Sequence, residues 1–184
     1  MGEGKGPRAN ALRRELTVAA EAESTAPPEV VYDVLVDLGG HPSWINGEEP
    51  GLLSIDAPDG PATVGTEFSS TGQDRMSRMR DASVVTEATR PRVFEFVTES
   101  SMELTKSKAV SDWTYVHRFE LTPTETGCRI RQTDRIVRAS ALPGILKIFR
   151  VPGLRSIVLR MAASMSRASL HRLAGAAEQR VTAR

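Results

Sequence analysis

From residue 50 to 140 the chain reads as short strands separated by turn signals, and from Leu154 to about Arg180 it runs without a proline. That succession limits the fold more than any other feature. Successive strands with short connections pair antiparallel in a meander. An antiparallel sheet with one apolar face must cover it, and one long helix is at hand to do so. The strands are LLSIDA (52–57) and TEFSSTG around the turn PDGPA, MRDASVVTEA and VFEFVTES around TRPR, and WTYVHRFEL and CRIRQTDRIVR around TPTETG.

Upstream, ELTVAAEAES (15–24) fits a first strand. Ser24 or Thr25 can cap a helix, and Pro27 and Pro28 suit its first turn. Val30, Val31, Val34, Leu35 and Leu38 recur at helical spacing, Gly39-Gly40 ends that helix, and HPSWI (41–45) reads as a second short helix or turn. Downstream, LPGILKIF reads as a short apolar helix that VPG (151–153) interrupts. In the last helix Leu154, Val158, Met161, Met165 and Ala168 fall on one face and Arg160 and Arg167 on the other. A helix of about 27 residues spans about 40 Å. The expected class is α+β: a curved antiparallel sheet of six to seven strands around a long C-terminal helix, with two short helices after the first strand. Residues 1–13, polar and glycine-rich, read as a disordered tail, and 14–184 as one domain.

An apolar fraction of 40% and a charged fraction of 26% are those of a soluble protein, and no apolar run approaches a membrane span. The start MGEGKGPRANALRR lacks the apolar segment of a secretory signal, and the single cysteine, Cys128, forbids an internal disulfide. Both suit a cytoplasmic protein. Net charge is +1 but uneven: +3 over residues 1–14, −9 over 15–140 and +7 over 141–184. A basic arm for nucleic acid, anionic lipid or an acidic partner is one reading. The other, preferred because no aromatic residues interleave the C-terminal arginines, is a basic helix complementing an acidic body, with no nucleic acid and no membrane insertion expected. Oligomeric state is left open between monomer and homodimer.

Function turns on WTYVHRFEL (113–121). On a strand its odd positions share a face, giving Trp113, Tyr115, His117, Phe119 and Leu121 together. If Leu121 pairs near Cys128, His117 lies opposite Gln132 and Tyr115 opposite Asp134, while Arg129, Arg131 and Arg135 point out. A one-residue slip would reverse the faces. Four polar groups among aromatics are costly in a dry core unless each is hydrogen-bonded, and a partly wet ligand cavity removes that difficulty. Phe68, Phe94, Phe96, Trp113, Phe119, Met161 and Met165 are then its apolar lining, with a dry core as the alternative for each. Trp44 caps one end of the cavity or anchors its short helix.

In APPEVVYDVLVDL leading to HPSW, VGTEF after a Gly/Pro turn, VVTEATRPRVFEF, and WTYVHRFELTPTETGCRIRQ before a long helix, residues 14 to 180 resemble the START-like or SRPBCC superfamily. The closer resemblance is to its polyketide cyclase/dehydrase and lipid-transport branch. That resemblance implies the helix-grip fold and a hydrophobic small molecule held between sheet and helix. It implies no single chemistry. LPGILKIFRVPG resembles the extra lip that many members carry over the cavity mouth.

A carrier or binding role is the leading expectation. The enzymatic alternative is a cyclase or dehydratase in which His117 transfers protons, Asp134 orients it or acts itself, and Tyr115 polarises a carbonyl. Against it stands a structural histidine bonded to Gln132 or to a strand carbonyl. A third class is an interaction protein using the basic helix. No metal is expected, since no His/Cys/Asp spacing suits one, and no phosphate-binding or dinucleotide glycine loop is present, so no cofactor is expected.

Overall fold

The computed structural model describes residues 15–46, 51–140 and 152–183. The first strand, β1 (Leu16–Ser24), buries every second residue from Leu16 to Ser24 and exposes those between, the period of a strand with one covered face. Pro28 opens α1 (Pro28–Leu35), which buries Val30, Val31, Val34 and Leu35. Proline suits this first turn because the missing N–H has no partner there in any case. A single 3-10 turn (Leu38–Gly40) and a one-turn helix, α2 (Pro42–Ile45), follow.

Six more strands complete the sheet: β2 (Leu52–Asp56), β3 (Glu67–Gln73), β4 (Ser77–Thr89), β5 (Val93–Leu104), β6 (Val110–Thr124) and β7 (Gly127–Ala139). Their order is β1-β7-β6-β5-β4-β3-β2, antiparallel throughout. The meander is therefore as expected, and β1 joins its far end by pairing with β7. Outward positions carry charge in matched pairs. Arg118 meets Glu87 at 2.6 Å and Glu95 at 3.1 Å, and Arg131 and Arg129 face Glu21 and Glu23 of β1 at 3.7 and 3.9 Å. Each such surface pair adds little stability, but together they mark this face as the wet one.

The last helix, α3 (Pro152–Thr182), has 31 residues and begins at Pro152, two residues ahead of the expected start. The LPGILKIF helix, nearly all of the lip segment and the N-terminal tail lie outside the described residues.

The stripe expected to be covered is not. Leu154, Met161 and Met165 are 44%, 62% and 73% exposed, whereas Leu170, Leu173, Ala174 and Ala177 are sealed in the core. The reason is placement. α3 packs chiefly on β1, α1 and α2, with its C-terminal half against Val31, Leu35 and Ile130. It therefore lies along the β1 edge, and the concave face of β3 to β6 is left with space in front of it.

Glu178, the only acid after residue 140, ties α3 to the end of β1. Its Oε1 accepts from the Thr25 amide at 2.8 Å and the Ser24 hydroxyl at 3.0 Å. The Thr25 amide bond is the main cause holding this carboxyl below its ordinary range, against the opposing effect of burial. Glu178→Ala is expected to lower stability by about 1.5–3 kcal/mol in urea unfolding at pH 7, the range for hydrogen bonds to an ionised group. Because the folded-state pKa is the lower one, this contribution is full above the unfolded carboxylate pKa and fades as pH falls through the folded value. The gap between wild type and variant should therefore narrow in acid. An equal gap at pH 7 and at the acid end would refute the assignment.

Candidate functional site

The inward face of the sheet is set by strand parity. Pairings of Phe68 with Ser83, Phe96 with His117 and Phe119 with Gln132 put these side chains in adjacent columns. The β6–β7 hairpin differs from the expected register by two residues: His117 faces Asp134, not Gln132, and Tyr115 faces Ile136, not Asp134. TPTETG reads as a loop, but the strands run through it to a two-residue turn at Glu125-Thr126, with Thr124 opposite Gly127. A shift of two preserves the faces, so the same residues still point inward.

Between this face and α2 and α3 lies a cavity of about 600 Å³, in the size range of small-molecule sites. Aromatic rings form much of its wall. Phe68 meets Phe96 edge to face at 5.4 Å, and Trp44 meets Phe119 in the same way at 6.3 Å. Ile55 and Leu52 from β2 extend the apolar wall, and Met165, Ser166 and Ser169 of α3 face it from the helix side.

His117 sits in this wall, stacked on Phe96 at 4.8 Å and on Tyr115 at 5.8 Å. Its Nδ1 lies 2.8 Å from Asp134 Oδ1. Asp134 also accepts from Gln132 Nε2 at 3.0 and 2.9 Å and from the Ser166 hydroxyl at 3.4 Å. In the neutral form of the ring, a carboxylate beside Nδ1 makes that nitrogen the donor and leaves Nε2 as the acceptor. In chemical terms the pair can orient a histidine to take or give a proton at Nε2.

Tyr115 is reached differently. Burial, with smaller contributions from the negative charges of Asp81 and Asp134, pushes its phenol well above the ordinary range, so it stays protonated and can only be a donor or an acceptor through its hydroxyl. Trp113 and Tyr115 belong to a separate small cluster with Ala139, Met102 and Ile136, and neither is part of the cavity wall. Phe94 is fully buried in the main core, and Met161 stands on the exposed flank of α3. Of the expected lining, the structure therefore brings together Trp44, Phe68, Phe96, His117, Phe119, Gln132 and Met165, and sets Phe94, Trp113, Tyr115 and Met161 elsewhere. Asp134 stands behind His117. The buried Cys128 thiol is pushed up to about 11 by desolvation, which keeps it protonated and unreactive.

Several wall residues escaped the sequence reading. Arg172 donates from Nε and Nη2 to the carbonyls of Trp44 and Ile45, both at 2.9 Å, and so fastens the end of α2 to α3. His41 is buried, bonded through Nε2 to the Leu35 carbonyl at 2.7 Å, and desolvation holds its pKa down. β4 contributes Asp81, Ser83 and Met79. Counting back by twos from the buried Val85 identifies all three. Arg78 and Arg80 alternate with them on the opposite face. Among the described residues no three His, Cys, Asp or Glu side chains are grouped as a metal site, and no helix is long and apolar enough to cross a membrane.

A curved antiparallel sheet gripping a C-terminal helix over an aromatic-walled cavity defines a helix-grip protein. The family described as polyketide cyclase / dehydrase and lipid transport matches residues 15–178, and the chain belongs to it. Solved structures share the fold at low identity. An uncharacterised protein from Rhizobium leguminosarum is 13% identical with a TM-score of 0.63, covering 92% of this chain and 98% of its own. A protein from Nitrosomonas europaea is 19% identical with a TM-score of 0.60, covering 91% and 97%. One from Staphylococcus aureus is 13% identical with a TM-score of 0.57, covering 90% and 97%. Among curated protein sequences, none matches the chain.

Proposed function

We propose that this protein binds a hydrophobic or aromatic small molecule, lipid-like or polyketide-like, in the cavity between sheet and helix, and acts as a carrier or binding protein. The observation that carries this reading is the aromatic-walled space of about 600 Å³, which α3 borders without filling. Membership of a family named for both cyclase and lipid-transport activities supports it. Native mass spectrometry of the purified protein should reveal a co-purifying lipophilic molecule or uptake of an added one. A protein that takes up no lipophilic probe at any concentration would overturn the reading.

One observation favours a second, enzymatic reading of cyclase or dehydratase type: His117 is held at 2.8 Å by Asp134 in the cavity wall. In it His117 Nε2 moves the proton, Asp134 fixes the ring, and Tyr115, protonated but outside the wall, polarises a carbonyl only if ligand reaches past His117. His117→Gln separates the two. A carrier should keep its affinity for an apolar probe within about threefold. An enzyme should lose turnover by about a hundredfold or more, the scale of a lost general acid or base, with little change in affinity.

A further inference from the structure

Deepening the binding role proposed above, we infer that Asp81 is the acceptor that selects ligands carrying a hydrogen-bond donor, a hydroxyl or an amine, on an otherwise apolar body. Asp81 is in the cavity wall. Its Oδ2 accepts from the Ser70 hydroxyl at 3.2 Å, and its buried Oδ1 has no hydrogen-bond partner. The Ser83 and Thr98 hydroxyls of the same wall lie 2.8 Å apart, so one donates to the other. Arg172, the cation of the wall, spends Nε and Nη2 on the carbonyls of Trp44 and Ile45.

A buried carboxylate oxygen without a donor is costly, so a ligand that supplies one recovers that free energy on binding. A second acceptor in the wall, Gln132 Oε1, is likewise buried without a partner, its amide nitrogen being committed to Asp134. Trp44 Nε1 is a buried donor in the same position. Among the described wall residues, two buried acceptors and one buried donor lack a partner, which favours a ligand that brings a donor to each acceptor. The aromatic body is provided for next to Asp81. Ser70 pairs with Asp81 and Phe68 with Ser83, one step along the same two strands, so the carboxylate borders the Phe68–Phe96 pair. A ring packed on those two residues lies beside the carboxylate that its substituent is to reach.

The test uses three naphthalenes of like body in isothermal titration calorimetry of the full chain: 2-naphthol, 2-methoxynaphthalene and 2-naphthylmethylamine. Wild type should bind the hydroxyl or the amine at least about tenfold more tightly than the methyl ether, as expected for a hydrogen bond to an ionised acceptor. Asp81→Leu should bring all three within about twofold while the methyl ether keeps its affinity. Asp81→Asn, which preserves shape and an acceptor oxygen but not charge, distinguishes the donors: a hydroxyl preference survives it and an amine preference does not. Equal binding of all three by wild type, or a preference that persists in Asp81→Leu, overturns the role of Asp81 and leaves the cavity reading intact. Failure of wild type to bind any of the three sinks both.

Discussion

Ser169→Trp is expected to weaken binding of a lipophilic probe such as 2-methoxynaphthalene by about a hundredfold while the protein remains folded. Ser169 is half-buried on α3 and faces the cavity, so an indole there occupies the ligand's space from the helix side. Losing room for about ten ligand atoms, at about 0.3 kcal/mol each, removes about 3 kcal/mol of binding free energy. Serine and tryptophan have similar helix propensity, so the helix itself should tolerate the exchange. Arg160→Trp, on the exposed part of the same helix and outside the wall, is the control and should bind as wild type does. Unchanged affinity in Ser169→Trp would mean that the probe sits elsewhere.

Gly127→Ala should be the most destabilising single methyl in the described chain, costing about 3 kcal/mol or more. Gly127 closes the β6–β7 turn at φ +154°, and a Cβ there would lie 2.1 Å from the Ser24 carbonyl oxygen and 2.8 Å from two backbone atoms of Thr25. Those neighbours are main chain at the end of β1, directly beside the Glu178 attachment, and cannot rotate aside as a side chain can. Overpacking of this kind costs about 1–3 kcal/mol even where side chains yield, and an L residue at this φ adds strain. The measurement is the urea midpoint with the m-value held constant. A loss below about 1 kcal/mol would show that the turn and β1 do not approach so closely in solution.

The inward face of WTYVHRFEL was legible because a strand's period is two, and parity survives any register shift of an even number. For the same reason the sequence brought His117, Gln132 and Asp134 to one face while pairing them wrongly. The true pairing depends on how far the strands run into TPTETG, where Gly127 fits closely against Ser24 and Thr25, residues a hundred positions away. Asp81 was hidden for another reason. In RMSRMRDAS the outward arginines dominate the composition, and only the alternation carried back from Val85 turns Asp81 inward.

Local periodicity and turn chemistry were thus sufficient to determine the antiparallel meander, the two short helices, the long last helix and the fold class, but not the pairing of β1 with β7. They also determined which side chains share the concave face, since the pleat dictates it. What the tertiary structure alone decided is where that face is covered. Met161 and Met165 are four apart and Leu170 and Leu173 three apart, so each pair makes a helical stripe on its own face, and spacing by itself does not say which stripe meets the sheet. Only the placement of α3 along the β1 edge, with α1 and α2 beneath its C-terminal half, seals Leu170 and Leu173, leaves Met161 in solvent and puts the exposed Met165 at the cavity's edge. Burial is a property of what stands opposite a residue, and here a cavity stands opposite Phe96, His117 and Asp81.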